Sequence, residues 1–331
     1  MKVLIIGGTR FLGRHLAESF LRNNHEVTLF HRGKTAAPGL FQGVEEIIGD
    51  REQDLSPLEK RSWDAVIDTC GYFPKHVRKS AEALRENVSS YLFVSSVSVY
   101  EDQSVRYLTE EARTAVLKDP DTTEIGENYG ALKAACEKEV QKVFGEQALI
   151  IRPGLIVGPH DYTDRFTYWP HRGAQGGEIL VPEMKDPTIR FIDARDLADW
   201  IVRMAENQEN GVYQAVGGSY NFNDFVQQCI ANQNAAAIVS VPESFLVEEK
   251  VGEWVEMPLW ISSEEYRGLD YADDTKAINK GLVFRSMEET IQDTVAWSRT
   301  RNLDLDDWKA GLHPDKEADL LQKWKQKVNK K

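Results

Sequence analysis

Cysteine is scarce in this chain. Cys70, Cys136 and Cys229 are the only three in 331 residues, with neither CxxC nor metal-ligand spacing. That excludes a disulfide-stapled scaffold and a zinc ribbon, and predicts a reduced, cytoplasmic protein. Long apolar runs are missing too: none approaches the ~20 residues that span a bilayer, so no membrane association is expected. Positive charge is in deficit, with 40 Lys and Arg against 53 Asp and Glu and a net charge of −13. That surplus repels nucleic acid and anionic lipid, and neither is expected as a partner. No apolar leader precedes the first strand pattern, because Lys2 opens directly into it, so no signal peptide is expected. His160, Asp161 and His171 lack a compact further ligand, so no metal site is expected. Repeats and low-complexity linkers are absent, and only the tail "LLQKWKQKVNKK" is biased. Its lysines suit a solvated terminal helix.

What is there is a globular composition, 41% hydrophobic and 28% charged, long enough for a main domain carrying a smaller one. Strand patterns "KVLII", "HEVTLF", "EEIIGD", "DAVIDTC", "SYLFVSS" and "ALIIRP" alternate with helical ones, among them Val77, Ala81 and Leu84 on one face and a helix from about Tyr129 to Phe144. Such alternation predicts an α/β fold, a Rossmann-like doubly wound parallel sheet with a smaller C-terminal substrate lobe. Residues 1–159 form the expected dinucleotide-binding domain, completed by about 189–206. The substrate lobe takes 160–188 and 207–300, and 301–331 form a helical tail. Within the first insert, Tyr162, Phe166, Tyr168 and Trp169 mix with Arg165, His171 and Arg172. These residues either line a pocket for an anionic or ring-shaped substrate or fill a seam between lobes.

Two stretches carry chemistry. In "GGTRFLG" the apolar run Val3–Ile6 meets Gly7 and Gly8, and Thr9, Arg10, Phe11, Leu12 and Gly13 lead into a helix with Leu16 and Phe20 on its apolar face. A strand, a glycine turn and a helix make a phosphate-binding loop, although Arg10 stands where such loops usually have their middle glycine. In "ENYGALKAACEKEV", Tyr129 and Lys133 are four apart and project from one helical face. A phenol titrates near 10, too high for acid-base work at neutral pH, and an adjacent ammonium lowers that value. Ser96, at the end of the strand in "SYLFVSS", is placed to hydrogen-bond the same substrate oxygen.

With "GGTRFLG", "FVSSVSVY", "YGALK", "RPGLIVGP", "RFIDARDLA" and "DDTKAINKGLVF" in this order, the sequence resembles the extended short-chain dehydrogenase/reductases, the NAD(P)-dependent epimerases and dehydratases. The resemblance implies an NAD(P)-dependent oxidoreductase or epimerase acting on a small molecule. It implies Tyr129 as acid-base, Lys133 on the nicotinamide ribose and Ser96 polarising the substrate carbonyl. It also implies cofactor contacts from the 7–13 loop, from Asp50 and Arg51 at the adenine, from Thr69, Cys70 and Gly71 along the pyrophosphate and ribose, and from Pro153 beside the nicotinamide. Where NAD sites place an acid after the second strand, "TLFHRG" offers His31 and Arg32. Arg10 and Arg32 are read as a 2′-phosphate clamp, which predicts NADP, with NAD as the other possibility. A homodimer is compatible with this class.

Departures narrow the substrate. The Asp-Glu pair that sugar-nucleotide dehydratases carry after the catalytic hydroxyl is Val97 and Ser98 here, and Leu155 replaces an asparagine common in nucleotide-sugar enzymes. A 4,6-dehydratase and a UDP-sugar substrate are therefore disfavoured. "GGTRFLG" also resembles the loop of chloroplast stem-loop RNA-binding relatives and NmrA-like regulators, so a non-catalytic dinucleotide sensor or RNA-binding protein is the alternative.

Overall fold

Strands whose successive side chains are all apolar can be buried only in a sheet covered on both faces. The computed structural model, which describes residues 1–35, 40–231, 236–301 and 305–330, has such a sheet. Of the expected lobe and tail, 232–235, 302–304 and 331 lie outside the described residues. In chain order the elements are β1 (Lys2–Ile6), α1 (Phe11–Arg22), β2 (Glu26–His31), β3 (Glu45–Ile48), α2 (Ser56–Glu59), β4 (Trp63–Asp68), α3 (Pro74–Leu84), β5 (Val88–Val94), α4 (Tyr129–Phe144), β6 (Ala148–Pro153) and β7 (Ile156–Val157). They continue with α5 (Tyr168–Gln175), β8 (Gly177–Glu183), β9 (Thr188–Asp193), α6 (Ala194–Glu206), β10 (Gly211–Ala215), β11 (Gly218–Asn221), α7 (Phe222–Ile230), β12 (Ala236–Pro242), α8 (Glu243–Glu248), α9 (Thr275–Asn279), α10 (Met287–Ser298) and α11 (Pro314–Asn329).

The chain divides into two compact units. The first comprises Met1–Ile156, Ile192–Gly217 and Arg267–Phe284; the second comprises Val157–Phe191, Gly218–Tyr266 and Arg285–Lys331. In the first, a seven-stranded parallel sheet runs β10-β6-β5-β4-β1-β2-β3. Alternation along β1 sends Val3 and Ile5 into one core with Leu12, Leu16 and Phe20 of α1 and Leu197, Trp200 and Ile201 of α6. Leu4 and Ile6 enter the opposite core with Val77, Ala81 and Leu84 of α3 and Cys136, Val140 and Phe144 of α4. Strand order reverses between β1 and β4, and in doubly wound sheets ligands bind at that reversal, outside the carboxyl ends of the strands.

Segments 207–217 and 267–284, expected in the substrate lobe, group with this first unit. The reason is pairing: Gly211–Ala215 runs in register with Leu149–Pro153 as the seventh strand, and Ala277 and Leu282 enter the α1–α6 core. Conversely, β9 is not a strand of the large sheet. It pairs antiparallel with β11 in a separate three-stranded sheet.

The second unit is built around aromatic rings. Phe166, Trp169, Phe222 and Phe225 are fully or almost fully buried, with Trp169 edge-on to Phe222 at 5.1 Å and Phe166 5.1 Å from Phe225. Most of the aromatic insert is thus core of this unit, while Tyr162 is exposed. Strands β8 and β12 pair in parallel beside it. In α11, Lys323 bonds Glu249 at 2.8 Å and Lys327 bonds Glu248, so tail lysines are paired with carboxylates. Among the described residues no helix is long and apolar enough to cross a membrane.

Candidate active site

The loop between β1 and α1 answers the question posed by Arg10. Left-handed backbone falls on Gly7 (φ 105°) and Gly8 (φ 85°), where glycine bears no steric penalty. Arg10 is the N-cap of α1 with φ −134° and ψ 144°, an extended conformation open to any residue. The glycine requirement therefore sits elsewhere, and the Arg10 side chain is exposed. Close packing explains the flanking glycines: a Cβ on Gly13 would lie 2.7 Å from the Gly8 backbone, and one on Gly7 would lie 2.3 Å from Thr69 Oγ1. No side chain caps α1 and no acid occupies its first turn. The backbone N–H groups and positive dipole end of that turn suit an anionic ligand. Thr9 Oγ1 lies 3.0 Å from Thr35 Oγ1, Phe11 is buried at φ 41°, and Leu12 packs into the sheet core.

The end of β2 is more elaborate than its sequence. Gly33 N donates to His31 Nδ1 at 3.1 Å, so Nε2 carries the ring proton, and it lies 2.9 Å from Glu46 Oε2. A carboxylate thus reaches this strand end from β3. Arg32 follows, exposed.

Beyond β3, Asp50 closes a turn by accepting from Glu52 N at 3.0 Å. Arg51 is drawn to the end of β4, where its Nη1 and Nη2 donate to Asp68 at 2.9 and 2.6 Å, and Tyr91 OH donates to the same carboxylate at 2.9 Å. Burial alone would raise the Asp68 pKa, but the adjacent Arg51 outweighs it and the pKa is lowered. Arg51 is thereby committed to an ion pair under the strand ends, and only its buried Nε has no hydrogen-bond partner. Thr69 donates from both N and Oγ1 to Ile6 O, at 3.1 and 3.0 Å, and Cys70 Sγ lies 3.6 Å from the same oxygen. Gly71 is buried where a Cβ would meet Phe93 and Val77 at 2.5 and 2.6 Å. Together the β1, β4 and β1–α1 residues form a cradle that side chains would fill, beside an uncapped helix end. These residues fit a dinucleotide.

Helix α4 spans the residues expected from the sequence, and its first turn is pressed onto the loop after β5. A Cβ at Gly130 would lie 2.0 Å from Ser98 O. Ser96, buried one residue past Ser95 at the β5 exit, accepts from Ser98 N and donates to Ser98 Oγ, both at 3.1 Å. Lys133, 4% exposed, donates to Gly71 O at 2.9 Å and Val94 O at 2.6 Å, which fixes its ammonium between the carboxyl ends of β4 and β5. Burial lowers its pKa. Tyr72 bridges the pair, its ring 6.5 Å from that of Tyr129 and 5.6 Å from Lys133 Nζ. Pro153 is buried at the end of β6. The structure thus brings Tyr129, Lys133 and Ser96 to one helix and the loop it packs on. It adds Tyr72, Asp68, Tyr91 and Glu46, which the sequence reading missed because their partners are distant in the chain.

Comparison with known proteins identifies the family. The model of the NAD dependent epimerase/dehydratase family matches residues 3–83 and 76–221. The chain is 28% identical over 246 residues to the chloroplast stem-loop binding protein of 41 kDa b of Arabidopsis thaliana, covering 69% of this chain and 62% of that protein. It is 26% identical over 192 residues to a UDP-glucose 4-epimerase of Neisseria meningitidis serogroup B, covering 48% of this chain and 54% of that protein. The chain therefore spans less than two thirds of the length of these curated relatives. A solved UDP-glucuronic acid 4-epimerase from Bacillus cereus in complex with NAD superposes with a TM-score of 0.64 at 17% identity, over 90% of this chain and 99% of that one. At that identity the likeness is one of fold.

Proposed function

Because the chain belongs to the NAD dependent epimerase/dehydratase family, we propose that it is an NAD(P)-dependent oxidoreductase or epimerase that acts by hydride transfer at a carbonyl or hydroxyl carbon of a small molecule. The observation that carries this reading is the face of α4, where Lys133 is clamped to the β4 and β5 ends one helical turn beyond Tyr129. Tyr129 takes the proton of the substrate hydroxyl during oxidation and returns it during reduction. Ser96 hydrogen-bonds the same substrate oxygen and holds it toward Tyr129. Lys133 supplies a buried positive charge on the Tyr129 face and a donor for the nicotinamide ribose. The nicotinamide, when bound, supplies the hydride donor or acceptor. Gly7, Gly8 and Gly13 permit close approach of the pyrophosphate, and the first turn of α1 meets its charge.

Arg10 and Arg32 support NADP over NAD, since both are exposed cations flanking the glycine loop and the β2 end. Glu46, held against His31, is the opposing charge at that strand end. Cytoplasmic residence belongs to the same proposal, on the scarcity of cysteines.

The second reading, a non-catalytic dinucleotide sensor or RNA-binding protein, is favoured by the 28% identity to the chloroplast stem-loop binding protein. The net charge of −13 opposes RNA as a partner. The readings are separated with Tyr129→Phe. NADPH binding followed by nicotinamide fluorescence should match wild type, while turnover of any substrate found in a panel of ketoses, alcohols and sugar nucleotides should vanish. Equal turnover in the variant would remove Tyr129 from the chemistry, and an RNA hairpin gel shift without turnover would favour the second reading.

A further inference from the structure

Four residues beyond Lys133, helix α4 carries a second buried ionisable group on the same face, Glu137, 3% exposed. Ser95 Oγ donates to its Oε1 at 2.5 Å. Arg152 Nε and Nη2 donate to Oε1 and Oε2 at 3.0 and 2.7 Å. Arg152 extends the network through Nη1, which donates to Tyr100 OH at 3.2 Å and Glu110 O at 3.0 Å. One carboxylate therefore ties together the residue before Ser96, the residue before Pro153, and the helix that bears Tyr129 and Lys133. Each of these three elements carries or leads into a residue of the candidate site: β5 runs on to Ser96, β6 ends in Pro153, and α4 bears Tyr129 and Lys133.

We propose that Glu137 is a positioning residue that locks the exits of β5 and β6 to α4, and balances the buried charge of Arg152, so that Ser96, Tyr129 and Lys133 stand ready for a nicotinamide dinucleotide. This rests on the reading of the site given above. A buried ion pair contributes little net stability compared with a well-packed apolar pair, because desolvation consumes most of its attraction. Pure scaffolding would thus be served as well by hydrocarbon, and the charge is informative because of where it stands. Burial disfavours the Arg152 charge, yet Glu137 outweighs burial and raises the Arg152 pKa. Lys133 is faced by Asp68 and Cys70 from the β4 end, by Cys136 and Glu137 from its own helix, and by the rings of Phe93 and Tyr72. Asp68 is already engaged by Arg51. Removing the Glu137 charge deletes one of the attractions that favour the Lys133 ammonium and leaves the Arg152 guanidinium, bonded to that carboxylate, uncompensated.

The test compares wild type with Glu137→Gln, Glu137→Asp and the double variant Glu137→Gln/Arg152→Met. NADPH and NADH affinity is measured against pH by nicotinamide fluorescence, and melting temperature is recorded for each. The proposal expects Glu137→Gln to bind NADPH about tenfold more weakly at neutral pH, the loss of one charge-assisted partner. It expects the alkaline limb of binding, where Lys133 loses its proton, to move to lower pH by about one pH unit. Glu137→Asp should recover part of the affinity, and the double variant should move the limb back toward wild type. A Glu137→Gln protein that melts earlier but binds NADPH with wild-type affinity and an unmoved limb would overturn the proposal and leave only a structural pair. Absence of both NADPH and NADH binding in wild type would overturn the site reading itself, and it is seen before any substitution is made.

Discussion

Gly130→Ala puts the construction of the site to a test of sign. In an ordinary helix the change is stabilising by about 1 kcal/mol, since alanine loses less backbone entropy. Here the added Cβ would lie 2.0 Å from Ser98 O and 2.9 Å from Ser98 C, below the 3.0 Å that real Cβ contacts respect. The obstruction is backbone, so α4 and the 96–99 loop must separate by about 1 Å. Overpacking of this kind costs about 1–3 kcal/mol, and subtracting the helix gain of about 1 kcal/mol leaves a net loss of up to about 2 kcal/mol. For a protein of this size that lowers the melting temperature by up to a few degrees. Tyr129 precedes the substituted residue and Ser96 shares the displaced loop, so a displacement of ~1 Å is expected to cost about 10²-fold in turnover. Scanning calorimetry and NADPH titration read the two effects separately. A variant that melts at or above wild type, with unchanged cofactor affinity and turnover, would refute the close packing of α4 on Ser98 as the device that sets Tyr129.

Other expectations follow from buried charges. Asp68→Asn should destabilise by roughly 3–5 kcal/mol by stranding Arg51, measured by urea unfolding, because half of a buried pair is left behind. Since the Asp68 pKa is lowered by folding, its contribution is complete above the ordinary carboxylate range and is lost as pH falls through that lowered value. Asp161 behaves oppositely: burial raises its pKa from 3.8 to about 6, and its Oδ1 accepts from Thr163 N at 2.8 Å while Oδ2 has no hydrogen-bond partner. The folded state then holds its proton more tightly than the unfolded one, so stability falls as pH rises from about 4 to about 6 and stays reduced above. Asp161→Asn keeps the Thr163 bond and should regain on the order of 3 kcal/mol at neutral pH; a melting temperature with unchanged pH dependence would contradict it. Arg10→Gly and Arg32→Ala should each weaken NADP relative to NAD in calorimetric titrations at fixed salt. Equal loss of both cofactors would mean that Arg10 shapes the loop and does not read the phosphate.

Much of the first unit was legible because its signals are local. The β1–α1 turn, the bounds of α4 and the spacing of Tyr129 and Lys133 all lie within single short stretches. What stayed hidden depends on pairing across the chain. Gly211–Ala215 is a short, ordinary segment until β6 lies beside it. In the sequence Arg51 reads, by resemblance, as a contact at the adenine, and only the fold carries it to Asp68, 17 residues away. Glu137 was the one hidden residue with a local trace, since it extends the four-residue spacing of Tyr129 and Lys133, but its partner Arg152 sits in an apolar strand with no periodic signal. At Arg10 the residue type pointed to an unusual loop, whereas the backbone there is extended and the glycine-dependent turns fall two and three residues earlier.

The most direct test of the central claim is hydride transfer itself. NADPH deuterated at the nicotinamide C4 should be incubated with wild type and with Tyr129→Phe against the panel of ketoses and sugar nucleotides, and the products read by mass spectrometry. The account predicts deuterium on a former carbonyl carbon with wild type, and none with Tyr129→Phe despite unchanged NADPH affinity. Transfer at equal rates in both proteins would contradict it.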